Sequence, residues 1–162
     1  MKRIYIAYGS NMHLGQMAHR CPDAKRLGVS QIEGYALEFH GRNGGAVATI
    51  VPKEDSRVPI VLWEISERDE RNLDRYEGFP RLYYKEKFRV YLSKRKVDAF
   101  AYIMASGYDI GIPSEYYYNV ILEGYTDNGI DTKPLFTALF NARHQQEVGA
   151  RLQKAAQGRA AK

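Results

Sequence analysis

Cysteine is almost missing from this sequence, because Cys21 is the only one among 162 residues. A single cysteine excludes an intramolecular disulfide and any metal site built from several cysteines. Long apolar runs are missing too, since none approaches the roughly 20 residues of a membrane span. The apolar stretch after the basic start covers only residues 4–7, which is too short for the hydrophobic part of a signal peptide. We therefore expect a cytoplasmic protein that is not embedded in a membrane.

Charge of neither sign dominates, since 24 Lys and Arg stand against 19 Asp and Glu, for a net charge of +5. A basic excess favours anionic partners. However, the clearest basic groups, residues 94–96 and the C-terminal tail, form no continuous stripe, whereas nucleic-acid recognition requires a clustered basic face with aromatic residues. The sequence thus disfavours a nucleic-acid partner and indicates no oligomeric state. The four histidines have no carboxylate or cysteine at metal-ligand spacing, so no metal site is predicted.

Aromatic residues, by contrast, are plentiful, with 13 Tyr, 6 Phe and one Trp. They provide ample apolar area for a core, so a disordered chain is excluded. The length predicts one domain. We expect it to cover residues 1–141, followed by a polar tail, residues 142–162, that is either helical or disordered.

Strand and helix signals alternate along the chain. Strands are predicted at residues 3–8, 32–40, 46–51, 59–65, 83–92 and 97–105. Helices are predicted after residue 11, after Ser66, after Ser114 and after Thr132, the last with Leu135, Phe136, Leu139 and Phe140 packing inward. This pattern predicts an α+β fold, either a mixed, strongly curved sheet or a small barrel, with helices packed around it.

Glu77 is the first candidate for chemistry. It ends the helix that begins after Ser66, beside Leu73 and Tyr76, which form the only apolar stripe of that helix. Burial at this edge and the negative end of the helix dipole both disfavour a carboxylate, so we expect a raised pKa. A raised pKa suits a carboxyl that transfers protons near neutral pH. The alternative is a solvent-exposed residue of the last turn.

The second candidate is the connection Tyr8, Gly9, Ser10 and Asn11, where a strand leads directly into a helix. The first amides of a helix have no partner within it and can bind an anion or an oxyanion. Ser10 or Asn11 is the expected N-cap. The alternative is a capped connection that binds no ligand.

Tyr117 is the third candidate, because it shares one face of its predicted helix with Val120, Ile121 and Gly124. It therefore points toward the core or a cavity, and a buried tyrosine needs a partner for its hydroxyl. The alternative is an ordinary core aromatic residue.

The order of these motifs resembles that of the γ-glutamylcyclotransferase-like family, which includes AIG2-like proteins. Residues 5–12 read Tyr-Ile-Ala-Tyr-Gly-Ser-Asn-Met, residues 44–50 read Gly-Gly-Ala-Val-Ala-Thr-Ile, and residues 73–78 read Leu-Asp-Arg-Tyr-Glu-Gly. The resemblance covers about residues 4–130, and its most specific feature is the pairing of Tyr-Gly-Ser-Asn with the later Glu-Gly.

The resemblance implies a small mixed β-barrel with flanking helices and a cavity at one side. It implies that Glu77 is the catalytic acid and base. The family's substrate-holding residues match Tyr5, Tyr8, Gly9, Ser10, Asn11 and Tyr117. A further pocket tyrosine matches either Tyr83 or Tyr84, of which we take Tyr84 as the first candidate.

The implied reaction releases 5-oxoproline from a γ-glutamyl amide by attack of the substrate's own α-amine. Because the nucleophile belongs to the substrate, no cofactor, metal or enzyme nucleophile is expected. The substrate is a small molecule, either a γ-glutamyl dipeptide or a γ-glutamyl-protected metabolite. Tyr-Gly-Ser-Asn differs from the Tyr-Gly-Thr-Leu of γ-glutamylamine cyclotransferases, so that class is less favoured. The alternative function is a non-catalytic module that binds a small anion in the same cavity.

Overall fold

The computed structural model describes residues 2–160. This part of the chain contains five strands, four α-helices and one short 3₁₀ turn. In chain order, the elements are β1 (Arg3–Ala7), the 3₁₀ turn (Ser10–Met12), α1 (Leu14–Arg20), β2 (Lys25–His40), β3 (Val47–Ile65), α2 (Glu67–Glu77), β4 (Tyr83–Leu92), β5 (Arg95–Met104), α3 (Glu115–Asp127) and α4 (Lys133–Ala160).

The five strands form one mixed sheet in the order β2-β3-β1-β5-β4. Strand β1 is antiparallel to β3 and pairs in parallel with β5 at Tyr5 and Phe100. The sheet curls until its two edge strands meet, where Tyr35 of β2 and Phe88 of β4 have ring centroids 5.5 Å apart. The predicted α+β fold with a strongly curved sheet is confirmed.

The hairpin of β2 and β3 is longer than the sequence predicts. Residues 46–51 and 59–65 were expected as separate strands, but Val47–Ile65 is continuous and pairs with β2 along most of its length. A register shift between Glu33 and Tyr35, together with a positive φ of 59° at Asp55, allows the hairpin to bend without breaking. The predicted buried run is present, since Val58 and residues 60–63 are all buried.

Helix α2 has the boundaries that its sequence predicts. The Ser66 hydroxyl accepts a hydrogen bond from the Asp69 N–H, and the Asp69 side chain accepts one from the Ser66 N–H, which completes a capping box. Gly78 ends the helix in the left-handed conformation, with φ of 64°. Leu73 is fully buried and fixes the helix against the core. These contacts set Glu77 in the last turn.

The N-terminal connection differs from the expected helix start. Ser10 and Asn11 do not cap a helix but lie in the 3₁₀ turn, and α1 begins only at Leu14. The N-cap of α1 is His13, whose Nδ1 accepts a hydrogen bond from the Gln16 N–H at 3.0 Å. The expected cap was wrong because the side chains of Ser10 and Asn11 make hydrogen bonds elsewhere.

Helix α4 is continuous across residue 141, so the polar segment after it is helical as far as Ala160. The last two residues of the expected tail lie outside the described residues. Leu135 is buried as predicted, but Phe136 and Phe140 are 52% and 67% exposed, so their expected inward packing was wrong. Among residues 2–160, no helix combines the length and the apolar character needed to cross a membrane.

Candidate active site

A cavity of about 170 Å³ lies where the end of β1, the 3₁₀ turn and the C-terminus of α2 meet β4, β5 and α3. Six tyrosines line it: Tyr5, Tyr8, Tyr76, Tyr83, Tyr102 and Tyr117. The remaining lining residues are Gly9, Ser10, Asn11, Val47, Ala48, Glu77 and Leu82. Among residues 2–160, Glu77 is the only acidic residue that lines this wall.

Glu77 is partly buried at the end of α2. Burial raises the pKa of its carboxyl to about 7, and the positive charge of Arg20 opposes that shift. Within residues 2–160, no protein group donates a hydrogen bond to this carboxylate. A carboxyl that is half ionised near neutral pH and unpartnered can both accept and return a proton.

The 3₁₀ turn leaves amide donors free beside the cavity. The N–H groups of Met12 and His13 donate to the carbonyls of Gly9 and Ser10, each at 3.1 Å. In the described part of the chain, the amides of Ser10 and Asn11 have no such acceptor. The turn therefore provides the open donors that were expected from a helix N-terminus.

Side chains of the 3₁₀ turn connect β1 to α1 and α2. The Asn11 amide group donates to the Tyr5 hydroxyl at 3.0 Å, and its oxygen accepts from Arg20 Nη1 at 2.5 Å. The hydroxyls of Ser10 and Tyr76 are 3.2 Å apart. Both Ser10 and Asn11 are buried, so these contacts hold the turn in place.

Two tyrosines hold the backbone of Ala48 in the opposite wall. The Ala48 N–H donates to the Tyr117 hydroxyl at 2.9 Å, and the Ala48 carbonyl accepts from the Tyr83 hydroxyl at 2.7 Å. Burial raises the pKa of both phenols, so both remain protonated at neutral pH. Tyr117 thus faces the cavity, as its predicted helix face indicates.

Tyr84 does not reach the cavity, which corrects its expected place in the site. Consecutive residues of a strand point to opposite faces, and β4 directs Tyr83 inward and Tyr84 outward. Tyr83 is 5% exposed and Tyr84 is 43% exposed. We therefore replace Tyr84 with Tyr83 in the candidate site.

All the other expected site residues line this one cavity: Tyr5, Tyr8, Gly9, Ser10, Asn11, Glu77 and Tyr117. Sequence reasoning missed Tyr102, whose carbonyl accepts a hydrogen bond from the Tyr8 hydroxyl. It also missed Arg20, whose guanidinium lies 3.6 Å from the centroid of the Tyr76 ring. The apolar stripe of α2 was a signal for Tyr76, but nothing local singled out Tyr102 or Arg20.

Comparison with known proteins assigns this chain to a family by its sequence and finds a solved structure with the same fold. The family model described as gamma-glutamyl cyclotransferase, AIG2-like, matches residues 5–119. Gamma-glutamylcyclotransferases of Homo sapiens and Mus musculus are 27% and 28% identical to this chain over 136 residues, covering 78% of it and 72% of each relative.

A solved structure titled gamma-glutamyl cyclotransferase superimposes with a TM-score of 0.76 at 24% identity, covering 85% of this chain and 86% of the other. At that identity, the likeness shows a shared fold. The family match includes residues 5–7 of β1, the 3₁₀ turn, Glu77 and Tyr117, all of which meet at the cavity. This chain therefore belongs to the gamma-glutamyl cyclotransferase, AIG2-like family.

Proposed function

We propose that this protein is a cyclotransferase that releases 5-oxoproline from a small γ-glutamyl amide, with Glu77 as its general acid and base. The observation that supports this most is a carboxyl with a pKa of about 7 that has no hydrogen-bond partner within residues 2–160, in a cavity whose other polar groups are hydroxyls and amides. The family to which the chain belongs and its curated relatives agree with this activity.

The reaction begins with proton removal from the substrate. At neutral pH the α-amine of a γ-glutamyl compound is an ammonium group, and ionised Glu77 accepts one of its protons. The freed nitrogen attacks the γ-carbonyl carbon, which forms the five-membered ring and places negative charge on the carbonyl oxygen. Holding both groups of one molecule in this geometry removes much of the entropic barrier.

The ring then expels the amine. The oxyanion re-forms the carbonyl as the bond between the γ-carbon and the amide nitrogen breaks, and protonated Glu77 returns its proton to the leaving nitrogen. The ring nitrogen, which still carries two protons, gives one to the released amine, and this amine leaves as an ammonium ion. The products are 5-oxoproline and a free amine or amino acid. The free amides of Ser10 and Asn11 hold either a substrate carboxylate or the developing oxyanion.

The cavity matches this chemistry in the direction of its hydrogen bonds. The hydroxyls of Tyr5 and Tyr117 each accept a hydrogen bond, from the Asn11 side chain and the Ala48 N–H, and among residues 2–160 neither donates its own proton to a protein acceptor. Four donors, two amides and two hydroxyls, are therefore available to a ligand. Such a set suits a substrate that carries carboxylate and carbonyl oxygens.

The alternative is a module that binds a small anion in this cavity without converting it. The free donors would suit that role too, but an unpartnered carboxylate next to an anion would oppose binding. The position of Glu77 therefore favours the enzyme.

A panel of γ-glutamyl compounds, assayed for 5-oxoproline, tests the proposal. Wild-type protein should convert at least one of them, and Glu77→Gln should retain the fold, measured by circular dichroism, and lose turnover. Glu54→Gln, an exposed glutamate on β3, is the matched control and should keep wild-type turnover. Turnover by Glu77→Gln at the wild-type rate contradicts the proposal, and binding without turnover in both proteins supports the alternative.

A further inference from the structure

Arg20 contacts the candidate site from outside the cavity wall. Its Nη1 donates to Asn11 Oδ1 at 2.5 Å and to Ser10 Oγ at 3.4 Å. Its guanidinium stacks on the Tyr76 ring, and its carbonyl accepts from Asn72 Nδ2 of α2 at 3.0 Å. The side chain is therefore held between the 3₁₀ turn and α2, the two elements that carry the free amides and Glu77.

The contact with Arg20 fixes which end of the Asn11 amide faces which neighbour. A guanidinium has donors but no acceptor, so Asn11 must present its oxygen to Arg20. The NH₂ group of Asn11 then faces the Tyr5 hydroxyl, 3.0 Å away, and donates to it. Because the Tyr5 oxygen accepts this bond, its own proton is left for a group inside the cavity.

We propose that Arg20 is a positioning residue for the cyclisation: through Asn11, it sets the direction of hydrogen bonds that makes the Tyr5 hydroxyl a donor into the cavity. This inference rests on the proposed function. In the reaction, the Tyr5 hydroxyl donates to an oxygen of the γ-glutamyl substrate, where charge develops or already resides. Arg20 itself does not touch the substrate.

The charge of Arg20 has a second effect, on Glu77. The titratable groups that surround Glu77 in the cavity are the phenols of Tyr5, Tyr8, Tyr76, Tyr83, Tyr102 and Tyr117. Asp74, one turn earlier on α2, is paired with Lys85 at 2.8 Å. Arg20 thus provides the permanent positive charge that opposes the effect of burial on the Glu77 pKa. Removing it should raise this pKa further and leave less of the base form at neutral pH.

Replacing Arg20 by Met and by Lys separates these effects from simple packing. Arg20→Met keeps the aliphatic stem but loses the charge and the donors, and should lower kcat by at least about tenfold, with a smaller change in KM. The acidic limb of its pH–rate profile should move to higher pH. Arg20→Lys keeps a charge and a donor, and should restore most of kcat and the wild-type limb.

A double-mutant cycle with Tyr5→Phe tests the hydrogen-bond direction itself. The comparison is made at a pH well above the acidic limb. If Arg20 acts through the Tyr5 hydroxyl, adding Arg20→Met to the Tyr5→Phe protein should lower its kcat by no more than about twofold. Asn11→Asp offers an independent arm, because aspartate keeps the bond to Arg20 but cannot donate to Tyr5. Its kcat should fall to that of Tyr5→Phe.

A wild-type kcat in either Arg20→Met or Asn11→Asp overturns the proposal. It is also overturned if the losses in kcat from Arg20→Met and Tyr5→Phe multiply in the double mutant.

Titration of the Glu77 carboxyl by NMR, in protein without substrate, gives a readout that does not depend on turnover. The Glu77 pKa should be higher in Arg20→Met than in Arg20→Lys, and equal values contradict the proposal. If wild-type protein releases no 5-oxoproline from any compound, the proposed function fails, while this titration still tests the effect of Arg20.

Discussion

The hydroxyl of Tyr117 accepts a hydrogen bond from the N–H of Ala48 at 2.9 Å, which joins α3 to the start of β3 at the cavity wall. The oxygen is therefore occupied as an acceptor, while its proton has no partner within residues 2–160. Burial raises the pKa of Tyr117, so this proton remains bound at neutral pH. The same contact that fixes the wall thus leaves a donor for a ligand.

Tyr117→Phe should remove that donor and leave the Ala48 N–H unpaired. We expect KM for the γ-glutamyl substrate to rise about tenfold and the free energy of unfolding to fall by about 1–2 kcal/mol. Steady-state kinetics and chemical denaturation measure the two effects. The neighbouring Tyr116 is 74% exposed, so Tyr116→Phe is a matched control that should change KM by less than about twofold. Equal effects of the two variants would remove Tyr117 from the site.

Glu77→Gln should make the protein more stable at alkaline pH. The pKa of the Glu77 carboxyl rises from 4.5, the ordinary value for a glutamate and the one expected in the unfolded chain, to about 7 in the folded protein. Between these values the folded state binds more protons than the unfolded state, so stability falls as pH rises. Above the folded pKa, ionised Glu77 costs up to about 3 kcal/mol, and partial exposure reduces this cost.

Denaturation curves at two pH values check this expectation. Glu77→Gln should gain about 1–3 kcal/mol over wild type at about pH 8.5 and little at about pH 4, where both side chains are neutral. A gain of equal size at both pH values, or one that grows toward acid, would mean that the folded protein does not raise the Glu77 pKa.

Gly124 lets α3 approach the 3₁₀ turn closely. A Cβ at this position would lie 2.9 Å from the His13 nitrogen and 3.0 Å from the Met12 carbonyl carbon, both of them backbone atoms. Gly124→Ala should therefore displace the turn, lower the free energy of unfolding by about 1–3 kcal/mol and reduce turnover. Thermal denaturation and the 5-oxoproline assay measure these changes.

Gly149→Ala is the matched control for this steric effect. Gly149 also lies within a helix, but a Cβ at this position would meet no atom of residues 2–160 within 4 Å, apart from the nearby backbone of its own helix. Alanine should stabilise α4 by up to about 1 kcal/mol and leave turnover unchanged. If Gly124→Ala behaves in the same way, the close approach does not position the turn.

Local signals were sufficient to predict the part of the site that α2 carries. Ser66, Asp69 and Gly78 define both ends of this helix within thirteen residues, and Leu73 sets its buried face. Once these are known, the place of Glu77 at the buried end follows. The raised pKa of Glu77 follows as well, because its burial depends on the same face of α2 that buries Leu73.

Contacts between distant segments could not be predicted in this way. Arg20 and Asn11 are only nine residues apart, but the hydrogen bond between them depends on the 3₁₀ turn. The sequence pattern predicts the start of an α-helix at this place instead. Tyr102 lies inside a strand where its neighbours are equally apolar, so nothing marks it as a cavity residue. Strand alternation predicts that Tyr83 and Tyr84 point to opposite faces of the sheet. Which of the two faces the cavity depends on how the sheet curls.

The pH dependence of turnover, measured beside the titration of Glu77 itself, is the sharpest test of the proposed role of this carboxyl. Because the base form must accept a proton first, kcat/KM should rise with pH through a midpoint near 7, equal to the pKa of the Glu77 carboxyl observed by NMR in the free enzyme. Glu77→Gln should abolish this rate at every pH. If the midpoint of the pH–rate profile differs from the Glu77 pKa observed by NMR, the proposed role of this carboxyl is contradicted. Turnover that survives in Glu77→Gln would contradict it as well.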